Sequence, residues 1–149
     1  MFSRGAKVVA ALLGGAALSL AVPMLPAVGQ GSPPVAGVRL SSPAKVADGG
    51  AVAFVPVLIA CPAGAQPFVQ VQLTERSGHL IAQGFGNTFN VVCTGGIQQV
   101  VVAVTPSNAP FVAGVAFGRA NISVCSPFDG CSSGFDQRNV KLVVKHKPV

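Results

Sequence analysis

From residue 35 onward the apolar positions recur with a period of two. In 68–74, Val69, Val71 and Leu73 alternate with Gln70 and Gln72, so an extended chain there has one apolar and one polar side. The same period runs through 98–105, where Val100, Val102 and Val104 share a face. It is clearest in 139–145, where Val140, Leu142 and Val144 oppose Lys141, Val143 and Lys145. The run 51–61 is apolar almost throughout, with Val55, Val57, Ile59 and Cys61 on one side. Further strands are expected at 35–41, 79–84, 88–93 and 113–124. Turn signals separate them: Asp48-Gly49-Gly50, Cys61-Pro62-Ala63-Gly64, Ser77-Gly78 and Thr94-Gly95-Gly96. The Gly84-Phe85-Gly86 triplet is expected to form a bulge or turn. No stretch beyond residue 34 carries a convincing helical period. About eight strands at intervals of roughly ten residues predict an all-β sandwich or barrel. Lys141 and Lys145 mark the last strand as an edge.

The first residues follow a different pattern. Arg4 and Lys7 precede an apolar run at 8–22, which Pro23 and Pro26 break before Ala27, Val28 and Gly29. This three-part order predicts a secretory leader over 1–29, cut after Gly29, with small residues at the cleavage site. The run is shorter than the roughly 20 residues a spanning helix requires. The expected organisation is a leader (1–29), a flexible Pro/Gly/Ser-rich lead (30–34) and one domain (35–147), secreted and with no membrane span after cleavage.

Composition sharpens this picture. Half of the 149 residues are hydrophobic and 9% are charged, against about 25% charged in ordinary domains. A disordered chain has the opposite bias. The net charge of +6 arises from a shortage of acids, which are only Asp48, Glu75, Asp129 and Asp136. The bases are scattered, with Lys141, Lys145 and Lys147 as the single cluster. Nucleic-acid binding needs a denser basic patch and stacking aromatics, so no nucleic-acid partner is expected.

Cys61, Cys93, Cys125 and Cys131 all follow the leader. An even count in a small secreted domain predicts two disulfides, in one of three connectivities. Strand parity selects among them. Cys61 continues the inward side of Val57 and Ile59, and Cys93 continues the parity of Phe89 and Val91. Cys125 shares the polar side of Arg119, Asn121 and Ser123, and Cys131 follows a turn-rich stretch. The pairs expected are Cys61–Cys93 and Cys125–Cys131. Loop-closure entropy assigns them roughly 3.5–4 and 2–2.5 kcal/mol.

Chemistry-bearing constellations are missing. His79 lies beside a turn and His146 in the tail, with neither placed against a serine and an acid. Asp129 and Asp136 read as turn residues rather than a glycosidase pair. The His and Cys spacings fit no zinc site. No catalytic residue, cofactor or metal is expected. Asn121-Ile122-Ser123 matches a glycosylation sequon and is read as a chance match.

Some runs carry a resemblance. They are the apolar run ending Cys61-Pro62-Ala63-Gly64, the strand 69–74, Val92-Cys93-Thr94-Gly95, the run 100–106 and Phe111-Val112-Ala113-Gly114. Over roughly 50–125 the chain resembles the small secreted immunoglobulin-like proteins of actinobacteria, a mostly uncharacterised group. The resemblance implies a single immunoglobulin-like antiparallel β-sandwich of about seven or eight strands with two disulfides, and supports the Cys61–Cys93 bond. It implies no activity.

The functional expectation is therefore a non-enzymatic secreted or cell-envelope domain that binds a protein or cell-surface partner through its loops. Pro127, Phe128 and Asp129, between the second pair of cysteines, form the candidate binding loop. The plainer reading is a capped surface loop with Phe128 packed on its own domain. An alternative function is a small apolar-ligand carrier, similar in outline to the two-disulfide apoproteins of chromoprotein antibiotics. In it Phe85, Phe89 and Phe117 line a cleft or else fill the core.

Overall fold

A computed structural model describes residues 35–145. The expected leader (1–29) and lead (30–34) lie outside the described residues, as does His146. Eight strands carry the fold: β1 (Gly37–Leu40), β2 (Ala44–Ala47), β3 (Val52–Ala60), β4 (Phe68–Ser77), β5 (Leu80–Thr88), β6 (Ile97–Pro106), β7 (Gly114–Ser126) and β8 (Gly130–Val144). A single 3-10 turn, Asp48–Gly50, is the only helical element among the described residues.

The strands pair in one continuous circuit. β3 runs antiparallel to β6 along one edge and to β2 along the other. β2 passes to β8 in parallel, and β8, β7, β4 and β5 follow as antiparallel neighbours. β5 then meets β6 at Gly84↔Pro106 and Phe85↔Thr105. The result is a closed seven-stranded barrel, with β1 continuing the β2 edge of β3. All-β structure is as expected; closure into a ring is the difference from an open sandwich.

The closure has a local cause. Gly84 and Gly86 lie inside β5, not in a turn or bulge. A Cβ at either position would run into the carbonyl of Thr105 or Ala103 on β6, so only glycine lets β5 approach this closely. Asn108 extends the seam by acting as a piece of backbone. Its amide donates to the Ile81 carbonyl at 2.6 Å, and its Oδ1 accepts the Gln83 N–H at 3.0 Å.

The core follows the period-two pattern. Val55, Val57, Ile59, Val69, Val71, Leu73, Val102 and Val104 are buried inside the ring. So are Ala116, Ala120, Ile122, Val124, Val140 and Leu142 from β7 and β8. Phe111 is the largest fully buried side chain, and its N–H donates to the Gly50 carbonyl at 3.0 Å.

Three expectations change. Of the expected strand 88–93 only Thr88 is one, as the last residue of β5, and residues 89–93 are not a strand. They open a loop whose Cys93 exchanges backbone hydrogen bonds with Gly64 and Ala65, both at 2.8 Å. Phe89 and Val92 are exposed there, so the alternating pattern had no sheet to bury it. β8 begins at Gly130, nine residues before the expected Asn139. Its polar first half is supported by β1, whose Leu40 N–H donates to Asp136 Oδ2 at 2.8 Å. Finally, β8 is not an edge strand near its lysines, because β2 covers Leu142–Val144. The Lys141 N–H donates to Ser42 Oγ at 3.0 Å.

Candidate functional site

Three connecting loops gather at one end of the barrel. They are 61–67 between β3 and β4, 89–96 between β5 and β6, and 127–129 between β7 and β8. Both disulfides sit at this end. Cys61 is joined to Cys93, with Cα atoms 5.6 Å apart, and Cys125 to Cys131, with Cα atoms 4.0 Å apart. This is the pairing expected from strand parity. Cys61 and Cys93 are buried in the core, and the second bond is exposed. One bond thus ties two loops together, and the other clamps the base of the third.

The clamped loop is the tip of the long β7–β8 hairpin. Cys125 faces Cys131 and Ser126 faces Gly130, which leaves Pro127, Phe128 and Asp129 as a three-residue tip. Gly130 has a φ of 80°, the left-handed conformation that closes such tips most easily with glycine. Ser126 Oγ accepts the Phe128 N–H and donates to Asp129 Oδ2, each at 3.4 Å. Phe128 is 94% exposed. It does not pack on its own domain. A cleft of about 670 Å³ opens beside the tip, between Pro62–Gln66 and the end of β7.

Phe85, Phe89 and Phe117 do not meet. Phe89 lies in the loop after β5, and none of the three is in the core. Phe85 and Phe117 lie on the outer face of β5, β4, β7 and β8, in register rows across the four strands. One row reads Gln83, Thr74, Phe117, Asn139 and the next Phe85, Gln72, Arg119, Gln137. A third reads Asn87, Gln70, Asn121, Phe135. The Arg119 guanidinium lies 5.9 Å from the centre of the Phe117 ring.

Glu75 and Asp136 have structural partners. Glu75 is buried, and its Oε2 accepts the Val112 N–H at 3.1 Å. Asp136 lies in β8, not in a turn as expected, and takes Arg138 Nε at 2.7 Å and Nη2 at 3.0 Å. The Arg138 guanidinium holds the Asp136 carboxyl below the ordinary carboxylate range. Burial opposes this, and the Leu40 N–H adds to the lowering. A depressed folded-state pKa stabilises the fold above the unfolded value, about 3.9, and that stability is lost as pH falls through the folded value. Acid urea melts are expected to show this loss below about pH 4. Asp136→Asn should cost about 1–2 kcal/mol at neutral pH and flatten the acid limb. An acid limb unchanged in the variant would remove Asp136 from this role.

His79 is exposed in the Gly78–His79 turn joining β4 to β5. Among the described residues, no group of three His, Cys, Asp or Glu side chains could hold a metal ion. No helix there is long and apolar enough to cross a membrane. The chain matches no protein-family model, and no curated protein matches it in sequence.

Proposed function

We propose that this protein is a secreted or cell-envelope domain that binds a protein or cell-surface partner, without catalysis, through its disulfide-braced loop end. The observation that carries the reading is Phe128, almost fully exposed on a hairpin tip closed covalently at its base. A large apolar ring held out in water has a cost that contact with a partner removes. A closed tip loses little conformational freedom on binding, which favours affinity. Two disulfides fit an oxidising compartment, as the leader-like pattern of the first residues does.

The immunoglobulin-like reading draws on how unevenly the ring is sealed. β5 and β6 share only a two-residue pairing, and β2 bridges to β8 over three residues. Between those seams, β1–β3–β6 and β8–β7–β4–β5 act as two facing sheets. In such sandwiches binding residues collect on end loops. The carrier alternative has less support, because Phe85, Phe89 and Phe117 do not line the cleft beside the tip.

The test is affinity capture from the medium and envelope extract of the producing cells, with oxidised wild-type protein and Phe128→Ala as baits. Phe128→Ala should lose roughly tenfold or more of the captured partner. Its unfolding free energy should stay within about 0.5 kcal/mol of wild type. Undiminished capture by the variant would refute binding through the tip.

A further inference from the structure

The outer face of β5, β4, β7 and β8 is a second surface, separate from the tip, and its composition is specific. Phe85, Phe117 and Phe135 stand out from it, 58%, 42% and 57% exposed. Between them the outward positions are mostly amides, which donate and accept at once. Two shallow hollows, of about 200 and 250 Å³, lie on either side of Gln72; Phe85 lines the first and Phe117 the second. Each is smaller than the ~300–1,000 Å³ of a drug-sized pocket, and the two share Gln72 as a common wall, one hollow on each side of it along β4.

We propose that this face binds a neutral polysaccharide laid across the strands. A glycan chain presents hydroxyls that pair with amides and C–H faces that stack on phenyl rings. The strand spacing of ~4.8 Å and the pleat repeat place Phe85, Phe117 and Phe135 roughly 12–16 Å apart. Only an extended ligand reaches more than one of them. Charge also selects the occupant. No acid points outward on these four strands, and Arg119 is the one cation in the three central rows. A second copy of the chain across a two-fold axis would set Arg119 near its counterpart with no acid to pair and would bury amides without assured partners. A polyanion would meet one guanidinium among amides in these rows, the other outward cations, Arg76 and Lys141, standing only in the row beyond Phe117.

The inference is independent of the tip, and its test keeps the two apart. The secreted, oxidised protein is mixed with insoluble cellulose, chitin or mannan, and depletion from solution is measured at low and high salt. We expect retention on at least one of these, held at high salt because the contact is not ionic. The Phe85→Ala/Phe117→Ala double variant should lose roughly tenfold or more of it. Gln72→Ala should weaken it, and Phe128→Ala should leave it unchanged. All these side chains face outward, so matched thermal melts are expected. The inference is overturned by no retention on any of the three, by retention that vanishes at high salt, or by retention the double variant keeps. Loss through Phe128→Ala alone would move glycan binding to the tip and overturn it equally.

Discussion

Replacing both Cys61 and Cys93 by alanine is expected to lower the unfolding free energy by about 3.5–4 kcal/mol. The bond closes a separation of 32 residues, and both cysteines are buried beside Ile59 and Val91 at the head of the core. It also anchors the reciprocal hydrogen bonds between Cys93 and the Gly64–Ala65 backbone. The Cys125→Ala/Cys131→Ala pair should cost less, about 2 kcal/mol. That bond closes a separation of six at an exposed tip whose strands stay paired below it. Urea melts of the two double variants, under conditions that leave the other bond oxidised, decide the order. An equal or reversed loss would mean that the tip bond, not the core bond, holds the fold.

Gly86→Val is the second large effect. Val has the right propensity for a strand, and on a solvent-facing position it would be tolerated. Here its Cβ meets the Ala103 carbonyl, so β5 must move away from β6. The two-residue pairing and the Asn108 bridge that complete the ring then lose their geometry. The expected cost is about 3 kcal/mol. Amide exchange should speed up first along the seam, at Gln83 and Phe85, while the β7–β8 hairpin stays protected. A variant as stable as wild type, with the seam still protected, would show that β5 and β6 do not need the glycines.

Period two revealed which side of a strand is buried, and so 55–61, 69–73 and 100–104 were legible as core. It carries nothing about which strands are neighbours. Closure depends on Gly84, Gly86 and Asn108, whose roles exist only once β5 lies against β6. The short β2 was hidden because Ala44–Ala47 carries one large apolar side chain, Val46. The first half of β8 was hidden because its inward positions are not large apolar residues: Gly134 lies against Ala36 and Ile122, and Asp136 accepts the Leu40 N–H of β1 and pairs with Arg138. Residues 89–93 misled in the other direction, since alternation without an adjacent strand is only a pattern. At the site, parity sufficed for the cysteines, and the turn chemistry around Pro127 and Gly130 located the tip. The amide and phenyl rows were not legible, because each is assembled from four strands distant in sequence.

The claim that the protein binds rather than catalyses is tested most directly by incubating a captured partner with substoichiometric oxidised protein and following the partner's mass. The account predicts a stoichiometric complex and an unchanged partner mass, with the same result for the His79→Ala/His146→Ala double variant. A partner cleaved or modified over many turnovers, with that activity lost in the His double variant, would contradict it.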